Sequence, residues 1–92
     1  MVQEVDTMRT MKTNLFTAIV KTPYGLYSVA CETMEGDARR DIYTAAVSEF
    51  RCHIGLLRVE AISQSTRHCL RKMQPIKNCV SSGKQWGWVQ KL

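Results

Sequence analysis

Residues 36–54 carry one apolar stripe at helical spacing: Ile42, Ala46, Phe50 and Ile54 recur in steps of four, and Tyr43 and Val47 adjoin them. On either side of this stretch the period drops to two. A single amphipathic helix between alternating segments has one place to bury its stripe, which is against a sheet made by those segments. Thr33 or Gly36 can cap its start, and Glu35 and Asp37 sit at the positive end of the helix dipole. Arg51 and His53 fall in the last turn, and Gly55 is expected to end the helix. Arg39, Arg40, Asp41 and Glu49 mostly occupy the opposite, solvated face.

The flanking segments read as strands. Residues 14–21, NLFTAIVK, offer Leu15, Phe16, Ile19 and Val20 as apolar surface, and Thr22-Pro23-Tyr24-Gly25 is a reversal with Pro at a fixed φ and Gly free to take a positive one. In residues 26–32, Tyr27, Val29 and Cys31 should point inward, with Leu26, Ser28, Ala30 and Glu32 on the other face. Residues 56–63 alternate Leu57, Val59 and Ala61 against Arg58, Glu60 and Ile62, a third strand with one apolar face. Residues 64–74 fit either a short helix, with Leu70 and Met73 on one side and a stop at Pro75, or a basic loop. Residues 76–80 and 85–89 then flank a hairpin loop, Ser81-Ser82-Gly83-Lys84. The expected fold is α+β: an antiparallel sheet of four to five strands with one main α-helix packed on one face, all in residues 12–92, preceded by a tail of residues 1–11. A chain of 92 residues with 45% apolar and 23% charged residues supports one such domain.

Charge is distributed by region. From residue 51 onward there are eight Lys or Arg against one acid, Glu60, whereas the first 50 residues hold five bases and seven acids. A basic half of this kind is a landing surface for polyanion, and the candidate binding residues are Arg58, Arg67, His68, Arg71, Lys72, Lys77 and Lys84. Trp86 and Trp88 are interleaved with Lys84 and Lys91; period two puts both on one strand face, either as core or as a stacking surface, with core favoured for at least one. Gly87 between them leaves the other face bare, for close approach of a partner or a bulge.

Other chemistries find little support. His53 and His68 each stand beside a cysteine, but neighbours in sequence diverge on a helix or strand, so no catalytic dyad is implied and no catalytic residue is assigned. No phosphate-loop or dinucleotide motif occurs. Cys31, Cys52, Cys69 and Cys79 lack any C-x-x-C spacing, so free thiols are expected rather than a metal site or disulfides, and no cofactor is implied. The longest strictly apolar run is three residues, and no secretory signal pattern opens the chain, so neither membrane insertion nor export is expected.

Taken whole, the opening MVQEVDTMRTMKTNLFTAIVKTPYGLYSVACETMEGDARRDIYTAAV and the ending SSGKQWGWVQKL resemble a phage-encoded anti-CRISPR protein directed at type I-F systems. Such proteins share no common motif, so the resemblance transfers no site residues. It implies a non-enzymatic inhibitor in the cytoplasm of the infected bacterial host, bound to the crRNA-guided (Csy) surveillance complex. The implied partners are Cas proteins and the crRNA, and the implied effect is a block to target DNA hybridisation. The basic residues fit exposed guide phosphate, and the acids around the helix fit a basic protein channel. The alternative reading is a small basic nucleic-acid-binding phage regulator.

Overall fold

The computed structural model describes residues 12–92; the expected tail of residues 1–11 lies outside the described residues. Strands β1 (Asn14–Thr22) and β2 (Gly25–Thr33) form a hairpin with unbroken register from Asn14 opposite Thr33 to Thr22 opposite Gly25. Its two-residue turn is held by Thr22, whose Oγ1 accepts from the Tyr24 N–H at 2.9 Å and donates to the Gly25 carbonyl at 3.0 Å. Gly25 takes φ +123°, a conformation strained for any residue with a Cβ.

Helix α1 (Ala38–Phe50) crosses one face of the sheet and buries Ala38, Ile42, Ala45, Ala46 and Phe50. A 3₁₀ turn, Glu35–Asp37, leads into it, and neither Thr33 nor Gly36 caps it: Asp37 holds the N-cap position without a side-chain bond. Thr33 instead donates its hydroxyl to the Asp41 carboxylate, tying the end of β2 to the first turn of the helix. The helix also ends earlier than expected. Arg51, not Gly55, terminates it in the left-handed conformation (φ 52°, ψ 42°), with its N–H bonded to the Val47 carbonyl at 2.8 Å. That turn takes the chain off the helix axis, so Ile54 leaves the stripe and is 52% exposed in a separate 3₁₀ turn, Ile54–Leu56. His53 starts that turn, its Nδ1 accepting the Gly55 N–H at 2.9 Å.

Strand β3 (Arg58–Ser65) pairs with β1, but the register slips between Thr17, opposite Ser63, and Ile19, opposite Glu60. Two residues, Ala61 and Ile62, therefore face Ala18, and Ala61 adopts φ +55°. The bulge overturns the regular alternation expected here: Leu57 and Val59 are buried, yet Ala61 is exposed and Ile62 packs toward the helix. The free edge of β3 is blunted by α1, since the Val59 N–H donates to the Tyr43 hydroxyl at 3.3 Å and its carbonyl accepts from Arg39 at 3.4 Å.

A six-residue 3₁₀ helix, Arg67–Lys72, follows, and the two-residue strand β4 (Gln74–Pro75) pairs with β7 (Gly87–Lys91). The expected strand at residues 76–80 shrinks to β5 (Val80–Ser81), because Ile76 and Cys79 turn into the core and the Cys79 N–H closes a turn onto the Ile76 carbonyl at 3.0 Å. Its partner β6 (Lys84–Gln85) completes a small hairpin whose loop residues Ser82 and Gly83 both have positive φ, the geometry that matches strand twist. The main sheet runs β3-β1-β2-β7-β4, antiparallel throughout, so the domain is α+β with a five-stranded sheet and one main helix. No helix among the described residues is long and apolar enough to cross a membrane.

The sheet carries a buried cluster on each face. On the helix side Phe16, Ala18, Val20, Val29 and Cys31 meet α1, joined by Ile76, Cys79 and Val89. On the reverse side a smaller cluster of Leu15, Ala30, Met73 and Trp88 lies under Cys69 and Leu70 of the 3₁₀ helix. Gly87 faces the helix side, where an added Cβ would stand 2.8 Å from Cys79 Cβ and 2.9 Å from its Sγ. The close approach that the bare glycine permits is thus made within the domain, by Cys79.

Candidate nucleic-acid interface

The 3₁₀ helix Arg67–Lys72 exists because Leu70 and Cys69 can be pressed onto Met73 and Trp88, while Arg67, His68, Arg71 and Lys72 stay exposed. Both readings of this segment were half right: it is helical, though too short and tight for an α-helix, and it is basic on its outer side. Two open grooves border it. The larger, about 820 Å³, is lined by Glu32, Asp41, Arg67, Lys84, Trp86 and Trp88 among others. The second, about 570 Å³, is lined by His68, Cys69, Arg71, Lys72 and Gln90, with no acid in its wall.

Five of the seven basic residues singled out in the sequence thus fall into two grooves that border the 3₁₀ helix, Arg67 and Lys84 in one and His68, Arg71 and Lys72 in the other. Two do not. Arg58 opens β3, seven residues from the end that leads to the 3₁₀ helix, or about 23 Å of extended chain. It sits opposite Lys21, which pairs with Glu60 at 3.7 Å. Lys77 is exposed between β4 and β5 and lines neither groove.

Within the larger groove the charges are already partly paired. Arg67 donates to Glu32 at 3.0 Å, and its guanidinium lies 5.8 Å from the centroid of a Trp88 ring. The other Glu32 oxygen accepts from Thr13 at 2.9 Å. Asp41 is engaged by Thr33 and by Arg40, the latter at 3.4 Å. Lys84 has no acidic partner among the described residues.

The two tryptophans do not share one face of a strand. Trp88 lies in β7 and is 8% exposed in the reverse cluster, whereas Trp86 precedes the strand, is half-buried and packs from the groove toward the helix-side core. The departure has a backbone cause: the Trp86 carbonyl still accepts from the Glu32 N–H at 2.8 Å, one step beyond the Cys31–Gly87 pair, but the Trp86 N–H turns away from β2 to the Cys79 carbonyl at 2.9 Å and the ladder ends there. Gln85 locks the same junction by donating to the Ile76 and Gly87 carbonyls at 2.8 and 2.6 Å. The arrival of Glu32 and Asp41 beside this segment was not foreseen. Glu32 is 35 residues before Arg67, and no local pattern carries such a contact.

All four cysteines are free. Burial pushes the Cys79 thiol up to about 11, with Glu49 adding to it; burial likewise raises Cys31 well above the ordinary thiol range, with Cys79 and Asp41 contributing. Cys69 is also raised by burial, against a smaller opposing effect of a backbone hydrogen bond. These three thiols are protonated at neutral pH and are poor nucleophiles. Among the described residues no three His, Cys, Asp or Glu side chains gather as metal ligands. A third groove, on the outer side of α1, is lined by Tyr43, Val47, Cys52 and Ile54 and carries Arg40 and His53 as its polar ends.

These features define a small α+β domain with a basic, aromatic two-groove surface on the side where the 3₁₀ helix covers the sheet. No protein-family profile, curated protein or solved structure matches the chain.

Proposed function

We propose that this protein is a non-enzymatic phage inhibitor that binds the crRNA-guided type I-F surveillance complex in the infected host cytoplasm. It contacts Cas proteins and guide RNA and blocks hybridisation of target DNA. The sequence resemblance supports the target, and one structural observation supports the mode of binding. His68, Arg71 and Lys72 project around an acid-free groove from a short helix whose apolar side is packed on Met73 and Trp88. Bases held this way meet phosphate with little ordering cost, since their backbone is already fixed. Glu35 and Asp37 lie at the start of α1, away from this groove in the chain, and suit a second contact with basic protein.

Arg71 and Lys72 are the residues to reverse. Arg67 is a poorer choice, because Arg67→Glu would place a second carboxylate against Glu32 and confuse folding with binding. In the Arg71→Glu, Lys72→Glu double variant we expect loss of co-elution with the guide-loaded complex and recovery of target DNA capture. Stability should move by no more than about 0.5 kcal/mol, because both side chains are exposed. Full inhibition by the folded double variant would reject the basic-groove mode. Tight, salt-dependent retention on bare duplex DNA with no effect on the complex would instead identify the regulator.

A further inference from the structure

We infer that the groove at Trp86 receives a single unstacked base of a single-stranded nucleic acid, with Lys84 on one flanking phosphate and Arg71 and Lys72 on the phosphates that follow. The inference deepens the RNA-contacting part of the proposed function and rests on it. Of the two indoles lining the groove, Trp88 is closed: it is 8% exposed, packed on Leu15, Ala30 and Met73, and has the Arg67 guanidinium near its ring. Trp86 packs in part on the helix-side core but is only half-buried, and is the more exposed of the two rings that line the groove. Its backbone is anchored on both sides, by Cys79 and by Glu32, so stacking on it orders little that is not already ordered.

Charge complementarity selects the occupant. The carboxylates of Glu32 and Asp41 would oppose a polyanion if unpaired, but Arg67 and Thr13 hold the first, and Thr33 and Arg40 the second. Counted by its lining, the groove balances Glu32 and Asp41 against Arg67 and Lys84, and of these four Lys84 alone has no oppositely charged partner among the described residues; the excess positive charge lies on the other side of the 3₁₀ helix, in the acid-free wall of His68, Arg71 and Lys72. An aromatic platform beside a basic track is the arrangement that binds single strands without reading sequence, because every base has a π-face and every nucleotide a phosphate. Duplex DNA keeps its bases stacked inside and offers the track only its phosphates.

The test is tryptophan fluorescence during titration with an eight-nucleotide oligouridylate at low salt, with no Cas protein present. The unsubstituted protein should show quenching, with affinity falling with salt at a log–log slope of about −2 for three phosphate contacts. Trp86→Leu keeps apolar packing but removes the stacking ring, and should weaken binding, read by anisotropy of a labelled oligonucleotide, about tenfold. Trp86→Phe should retain most of the affinity, Lys84→Glu should lose several-fold, and Lys21→Ala should change nothing. If Trp86→Leu fails to fold, as judged by circular dichroism, the Phe and Lys84 variants still decide. Equal affinity of folded Trp86→Leu, equal quenching by an eight-base-pair duplex, or quenching by guide-free Cas protein but not by the oligonucleotide would each overturn the inference. Because the assay contains no surveillance complex, its failure leaves a positive co-elution result standing, and a failed co-elution leaves a positive titration standing.

Discussion

The two faces of the sheet are covered in unequal ways. On one side a 13-residue helix seals the sheet with Ile42, Ala45 and Ala46, all fully buried. On the other, six residues of 3₁₀ helix cover four buried side chains, and the two residues that do the covering, Cys69 and Leu70, are themselves only half-buried. The helix side is therefore the part whose loss unfolds the domain. The reverse side is a thin lid whose polar residues stay exposed above the few apolar contacts beneath them. The main core thus lies on the helix side, and the residues proposed to bind phosphate surround the thinner cover on the reverse side.

The sharpest way to break this contrast is to open a cavity under the helix. Ile42→Ala should cost about 2–5 kcal/mol and abolish cooperative folding or sharply lower the urea midpoint. An effect below about 1 kcal/mol would mean that the helix face is not the stabilising one. Next in size is Gly87→Ala, which forces a methyl onto Cys79 at less than 3 Å and should cost about 1–3 kcal/mol. Combining it with Cys79→Gly, which removes both the Cβ and the Sγ that the methyl would meet, should recover part of that loss, a coupling visible in a double-mutant cycle by denaturant unfolding. The smallest effect is expected from Leu70→Ala, about 1 kcal/mol for a half-buried side chain. Hydrogen exchange should show protection falling around residues 67–73 while β1, β2 and α1 hold theirs. Equal loss over the whole domain would show that the lid and the helix-side core form one cooperative unit.

Much of the scaffold was legible because it rests on local periodicity. The β1–β2 hairpin followed from alternation on both sides of a Pro-Tyr-Gly turn, and the helix from Ile42, Ala46 and Phe50 at steps of four. The stripe misled at its last rung, Ile54, because a periodic pattern continues in the sequence even after Arg51 has turned the chain out of the helix. Alternation likewise misled after Val59, where one bulge shifts the phase by a residue and exchanges Ala61 for Ile62. Composition marked a basic region, but it carried no sign that Arg67, His68, Arg71, Lys72 and Lys84 line two grooves while Arg58 and Lys77 line neither. Distance along a strand and the direction of a loop are not written in charge.

By itself the amino-acid order determined the α+β class, the single long helix, the first hairpin and the basic character of the second half, since each depends on residues near one another in the chain. Only the tertiary structure decided that the sheet has a second, thinner core, that Gly87 makes room for Cys79, and that Trp86 and Trp88 part company. It also decided that Glu32 and Asp41 stand beside Arg67 and Lys84 in one groove. Those outcomes arise from contacts that no local period encodes, from Cys79 with Gly87 within one irregular loop to Glu32 with Arg67, 35 residues apart, where packing and backbone hydrogen bonding override local pattern.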